Sequence, residues 1–148
     1  MGAYQMVAVG TDGSESSYRA VDRAAAVAAD AKATLLVICA YHPQKPNGEA
    51  ERELGEDAAF HVVGSTPAEE TLRDARERAG AAGVTDVDTV AVEGDPIESV
   101  IEVVADRRAD LVVVGNRGLN TFTGRLLGSV PQGVSRRASV DVLIVHTT

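Results

Sequence analysis

Five short apolar runs recur along the chain, at Met6 to Gly10, Leu35 to Ala40, Val87 to Val92, Leu111 to Val114 and Val140 to Val145. Their length and their β-branched content predict strands. The runs that begin at Leu35, Leu111 and Val142 are apolar at consecutive rather than alternate positions. That pattern belongs to strands covered on both faces, as in a parallel sheet flanked by helices. The intervening segments carry helical spacing instead. Val21, Ala24, Ala25 and Ala28 fall on one helical face, as do Leu72, Ala75, Ala79 and Ala82, and Ile97, Val100, Ile101, Val104 and Ala105. Strands alternating with amphipathic helices predict an α/β fold, a doubly wound parallel sheet with helices on both faces, Rossmann-like in plan.

Two helix starts are marked by local chemistry. Thr66-Pro67-Ala68-Glu69 and Asp95-Pro96-Ile97-Glu98 each offer a capping side chain, then proline, then a glutamate able to reach back. Between the second apolar run and the second helical segment, His42 to Ser65 reads differently. It contains Pro43, Pro46, Asn47 and Gly48, followed by the acidic stretch from Glu49 to Ala59, and is expected to form a long solvated connection. No internal repeat is present, and 148 residues suit one domain over 1–148.

Composition narrows the partners. The net charge is −8 and no Lys or Arg run exceeds a pair, so a broad nucleic-acid surface or an anionic-membrane surface is not expected. Arg107-Arg108 and Arg136-Arg137 read as helix-end charges. The single cysteine, Cys39, lies within an apolar run and reads as a packed thiol in a reducing compartment. Met1 to Gln5 lack the charged-then-apolar plan of a secretory signal, and no apolar run approaches membrane-spanning length. A cytoplasmic location is the expectation.

The chemistry concentrates where strands end. Gly115-Asn116-Arg117-Gly118 closes the fourth apolar run, and nine residues later Gly128-Ser129 opens a helix through Ala138. Glycines at the carboxyl end of a strand, leading to a helix, form a backbone cradle for phosphate because N–H groups converge there without side chains in the way. The hydroxyl and amide of Ser129, with the amide of Val130, would meet an anion at the positive end of that helix. The competing reading is that Ser129-Val130-Pro131-Gln132 is a plain capping box. Arg117 and Arg125 are candidates for charge-assisted contacts to the same phosphate, or for solvent.

A second strand-to-helix turn, Val9-Gly10-Thr11-Asp12-Gly13-Ser14, carries a carboxylate. In a sheet of order 3-2-1-4-5, Asp12 and the Gly115 loop would flank the topological switch point together. Asp12 would then accept from ribose hydroxyls or hold a divalent metal on phosphate oxygens, or else serve only in turn formation. The three histidines, His42, His61 and His146, show no metal-ligand spacing. Only Lys32 and Lys45 are present, neither near the glycine loop, so no P-loop lysine is available. No G-x-S-x-G turn or Cys–His pairing suggests acyl transfer. The set points to a binder rather than a catalyst.

Gly-x2-Gly-x9-Gly-Ser at 115 to 129 resembles the nucleotide-binding signature of the universal stress protein family. The likeness extends through Val9 to Ser14, Gly94-Asp95-Pro96 and Ser139 to Val145, nearly the whole chain. The resemblance implies a five-stranded parallel α/β sandwich of order 3-2-1-4-5 that holds ATP or another adenine nucleotide at the switch point. By position, it assigns Asp12 to the ribose or to a metal such as Mg or Mn held through the nucleotide phosphates, and Ala40 to the adenine, with Gly10 and Thr11 of the first turn also counted as nucleotide-binding candidates. It assigns Gly115, Gly118, Gly128, Ser129 and Val130 to the phosphate cradle, beside which Arg117 remains a binding candidate on its charge alone. Pro131 stands where many ATP-binding members have Ser or Thr and offers neither hydroxyl nor N–H. Actinobacterial sequences with the same Ser-Val-Pro ending resemble members that bind cyclic AMP, so ATP and cyclic AMP both stay open as ligand.

Three functions remain at this level: nucleotide binding in stress response or signalling, slow ATP hydrolysis or a distant ATP-pyrophosphatase-like activity, and a dimeric interaction module with a vestigial pocket. The second rests on a poor match of Thr11-Asp12-Gly13-Ser14-Glu15-Ser16 to a Ser-Gly-Gly-x-Asp-Ser loop. The apolar final strand, Val140 to Val145, would leave a bare edge in a monomer, so a homodimer through it is expected on physical grounds and by the resemblance.

Overall fold

A computed structural model of the chain describes residues 2–42, 65–116 and 128–147. Strands β1 (Met6–Gly10), β2 (Thr34–Tyr41), β3 (Val87–Glu93), β4 (Leu111–Gly115) and β5 (Asp141–Val145) form one sheet in the order β3-β2-β1-β4-β5. Every neighbouring pair is parallel. The predicted fold class and strand order are therefore observed. Helices α1 (Glu15–Ala31), α2 (Ser65–Ala81), α3 (Pro96–Arg107) and α4 (Ser129–Arg137) complete the described elements.

The sheet separates two apolar layers. On one face, Val7, Val9, Leu35, Val37, Cys39, Leu111 and Val113 pack with Ala20, Val21, Ala24, Ala25 and Ala28 of α1 and Ala68, Leu72, Ala75 and Ala79 of α2. On the other, Ala8, Leu36, Ile38, Val112 and Val114 pack with Val100, Val103 and Val104 of α3 and Val134 of α4. Residues alternate between these layers along each strand, which explains why the central strands are apolar throughout. Alanines supply most of α1's contact, letting it lie close to the sheet.

The chain runs β1-β2-β3 with α1 and α2 on one face, then crosses to β4 and β5 with α3 and α4 on the other. The reversal puts the switch point between β1 and β4, whose pairing runs Val7↔Leu111, Ala8↔Val112 and Val9↔Val113.

The predicted helix faces and starts hold except at three points, one in α3 and two in α2. In α3 the buried residues are Ser99, Val100, Val103 and Val104, whereas Ile97 and Ile101 are half-buried and Ala105 is exposed. The sheet-facing stripe is thus rotated from the predicted one, because α3 also packs on α4. A Cβ built on Gly133 would stand 2.6 Å from Cδ1 of Ile97, so that isoleucine serves the helix–helix contact. In α2 the helix begins at Ser65, placing Thr66 and Pro67 inside the first turn rather than at the cap. Proline is tolerated there because first-turn amides have no partner within the helix. Ala82 lies just past the helix end and is exposed.

Asp95 behaves as predicted. It caps α3, accepting from the Glu98 amide at 3.1 Å with Pro96 at the first helical position. Glu98 does not complete a box but turns toward Arg137, 3.8 Å away. Arg107, Arg136 and Arg137 occupy last turns of helices, and Arg108 is the left-handed cap of α3. The expected long connection falls mostly within 43–64, outside the described residues.

Candidate functional site

The carboxyl end of the sheet is stepped. β1 stops at Gly10, paired with Ile38, while β2 continues through Ala40 to Tyr41 beside β3. On the other side of β1, β4 continues past the Val9↔Val113 pair to Gly115. Ala40 and Gly115 therefore stand beyond the end of the central strand, with the turn from Thr11 to Ser14 between them.

That turn is held by its own hydroxyls. The Thr11 amide donates to the Ile38 carbonyl at 2.9 Å, and Thr11 Oγ1 is 2.8 Å from Ser17 Oγ. The Gly13 amide donates to Thr11 Oγ1 at 3.2 Å, and Gly13 has a φ of +85°, which a side chain would resist. Ser14 is the N-cap of α1, accepting from the Ser17 amide at 3.1 Å. Asp12 uses one carboxylate oxygen, Oδ1, to accept from the Ser14 amide at 2.9 Å. This is the turn-forming role foreseen as the alternative, yet it engages one oxygen only. Among the described residues, Oδ2 carries no hydrogen bond.

On the β4 side, the Gly128 amide donates to the Asn116 carbonyl at 3.0 Å, bringing the two ends of the intervening segment together. Gly128 is the N-cap of α4, with a φ of −64° and no side-chain cap bond. Ser129 is thus the first helical residue, not the cap, and the capping-box reading of its hydroxyl is not what the structure shows. Ser129 is exposed and Val130 half-buried, and neither amide has a carbonyl one turn earlier in the helix to donate to. Pro131, fully buried, takes the third position and removes a donor from it. Among the described residues, two amides and one hydroxyl at this helix end have no hydrogen-bond partner. Arg117, Gly118 and Arg125 lie outside the described residues.

The need for glycine at 115 is spatial. Among the described residues the glycines with positive φ are Gly13, Gly83 and Gly94, so positive φ is not what Gly115 supplies. A Cβ there would sit 3.2 Å from Cγ2 and 3.4 Å from Oγ1 of Thr147. The sequence reading missed that threonine, together with Ser16 and Asn116. Thr147, only 3% exposed, is bonded to both. The available signal was a polar residue placed directly after the glycine that ends β4.

Cys39 is fully buried beneath the site. Burial, with a smaller contribution from the nearby Asp12 charge, pushes its thiol up to about 12, so it stays protonated and unreactive. No group of three or more His, Cys, Asp or Glu able to hold a metal occurs among the described residues. Lys32 sits at the left-handed cap of α1, just before β2 and so at the opposite end of the sheet. No helix among them is long and apolar enough to cross a membrane. A cavity of about 260 Å³ lined by Glu69, Leu72, Arg73, Arg76 and Thr89 lies at the β3 edge, away from the switch point.

Doubly wound topology, with two strand-to-helix turns flanking the switch point, defines a class of α/β proteins that take ligands beyond the carboxyl ends of their strands. Within that class the chain belongs to the universal stress protein family, whose pattern it matches over residues 3–146. It is 52% identical over 149 residues to the universal stress protein Rv1636 of Mycobacterium tuberculosis, covering 100% of both chains. It is 33% identical over 147 residues to a putative universal stress protein of Staphylococcus aureus, covering 97% of this chain and 85% of the other. Among solved structures, a universal stress protein in complex with cAMP superimposes with a TM-score of 0.77 at 46% identity, covering 99% of this chain and 100% of that one.

Proposed function

We propose that this protein binds an adenine nucleotide at the switch point and acts in stress response or nucleotide signalling by binding rather than by catalysis. The observation that carries the reading is the uncapped start of α4. Gly128 is the cap without a side-chain bond, which leaves the Ser129 hydroxyl and the Ser129 and Val130 amides for an anion. Oδ2 of Asp12, without a hydrogen bond among the described residues, suits ribose hydroxyls, or a Mg or Mn ion carried in with the phosphates. Ala40, standing beyond the end of β1, suits the face of an adenine ring. Gly10 and Thr11 shape the turn beneath the ribose, and Arg117 and Gly118 complete the phosphate loop on this reading.

Pro131 weighs in favour of the smaller phosphate group. With the third amide of α4 absent, the helix end offers few donors for a triphosphate, whereas a cyclic nucleotide has one phosphate with a single charge. Cyclic AMP is therefore the favoured ligand and ATP the alternative. The similarity to a relative crystallised with cAMP supports this choice.

Calorimetric titration with ATP, ADP, AMP and cyclic AMP tests the reading. We expect cyclic AMP to bind at least as tightly as ATP and to raise the melting temperature with occupancy. Ser129→Ala and Gly118→Ala should each remove that rise. Equal shifts in the variants would overturn the site, and binding of none of the four would overturn the function.

A further inference from the structure

Thr147 stands at the junction of the two loops that make up the candidate site, yet belongs to neither. Its side chain is buried against Gly115, and its hydrogen bonds run in both directions. Toward α1, Ser16 Oγ lies 2.6 Å from Thr147 Oγ1. Toward β4, Thr147 Oγ1 donates to Asn116 Oδ1 at 3.0 Å, and the Thr147 amide donates to the same oxygen at 2.8 Å.

The chemistry gives this chain a direction. A backbone N–H can only donate, so the Asn116 atom facing Thr147 is the carbonyl oxygen and the amide orientation is determined. The single Thr147 proton goes to that oxygen, so Ser16 donates to Thr147. The relay is Ser16 to Thr147 to Asn116. Separately, the main-chain carbonyl of Asn116 accepts from the Gly128 amide, so the residue whose side chain ends the relay also ties in the start of α4. Arg19, one turn along α1 from Ser16, donates to the Thr147 carbonyl at 2.6 Å and anchors the tail itself. Among the described residues no direct hydrogen bond joins the 11–14 turn to Gly128, Ser129 or Val130, so the tail supplies this polar link.

We propose that the buried Thr147 hydroxyl is a latch that holds the β1–α1 turn and the start of α4 in register, and is thereby a positioning residue for the nucleotide. The second half of this statement rests on the function proposed above; the first half does not. A bound nucleotide spans from Asp12 to Ser129, so a shift between the two loops costs affinity even though Thr147 touches no ligand. Gly115 belongs to the same device, because a larger residue there would press on the latch.

Two variants and two readouts test the latch. Thr147→Val keeps the shape and removes the hydroxyl, while Thr147→Ser keeps the hydroxyl. Hydrogen exchange on the ligand-free protein should show faster exchange in Thr147→Val at both the Gly13–Ser14 amides and the Gly128 amide, which are the hydrogen-bonded ones, with Thr147→Ser close to wild type. Cyclic AMP titration, well below the melting temperature, should show about a tenfold weaker affinity for Thr147→Val, equivalent to about 1.4 kcal/mol, and little change for Thr147→Ser. Acceleration confined to one loop would overturn the latch. Faster exchange at both loops with unchanged affinity would overturn the positioning role. A wild-type protein that binds no nucleotide would overturn the proposed function and the positioning role with it, while the exchange result still decides the latch.

Discussion

Cys39 shows how one buried residue makes the stability of the molecule depend on pH. Its thiol, ordinarily near 9.0, is pushed up to about 12 in the folded chain by burial and, to a smaller degree, by the Asp12 charge. Between those values the unfolded chain gives up the proton and the folded chain keeps it. The unfolded state then binds fewer protons, so stability falls as pH rises, by about 1.4 kcal/mol per pH unit inside that window. Below pH 9 the contribution is fully present. Denaturant melts of wild type and Cys39→Ala at pH 8 and pH 10.5 should separate the effects. The variant should be less stable at pH 8, from the space it leaves, and should lose less on going to pH 10.5 than wild type does. Identical pH dependence in both proteins would contradict this account. The packed, unreactive thiol was legible in the sequence from the uninterrupted apolar run around it. Its partners were not, because the proximity of Asp12 depends on β1 and β2 pairing in a register that no local pattern specifies.

Helix starts show the same division at the scale of elements. Asp95 and Ser129 look alike in sequence, each a small polar residue followed within two positions by proline. In the structure Asp95 caps α3 and Ser129 is the first residue of α4, after a glycine cap. The difference lies in the preceding chain. The Gly128 amide is tied back to Asn116, which makes Gly128 the residue where the backbone turns into the helix. Asp95→Ala should therefore cost about 1 kcal/mol, the usual value of a cap, whereas Ser129→Ala should leave stability nearly unchanged while affecting ligand binding. Urea denaturation of the two variants at neutral pH checks the contrast; equal losses would return Ser129 to a capping role. The elements and their order were readable because strand and helix periods differ. The faces of α3 were less so, since a short helix that touches both a sheet and another helix has two apolar stripes, and periodicity alone does not say which one meets the sheet. The Ser16–Thr147–Asn116 relay was not legible as a unit, because Thr147 lies 131 residues from Ser16 and 31 from Asn116, and only the pairing of β4 with β5 brings it to them.

At the scale of the whole molecule, the sheet has two edges and treats them differently. β3 carries exposed Asp88 and Glu93 near its ends, and Arg76 of α2 reaches Thr89 at 3.4 Å. Charges and a covering helix are how an edge is kept from pairing with another chain. β5 has one exposed acid, Asp141, whose carboxylate is engaged by the Tyr4 hydroxyl at 2.9 Å, and then Val142, Leu143 and Ile144, all half-exposed. These side chains point to both layers, Leu143 toward the α1 side and Val142 and Ile144 toward the α3 and α4 side. An apolar strand left half-covered on both sides is the kind of edge a second copy would cover, so we expect a homodimer through β5. Light scattering on the eluting protein should give twice the chain mass for wild type. Val142→Lys and Leu143→Lys place a charge on opposite sides of the strand, and each should shift the mass toward the monomer with the circular dichroism of the folded protein retained. A wild-type monomer at every concentration would reject the dimer, and folded variants that stay dimeric would move the interface to another face of the molecule.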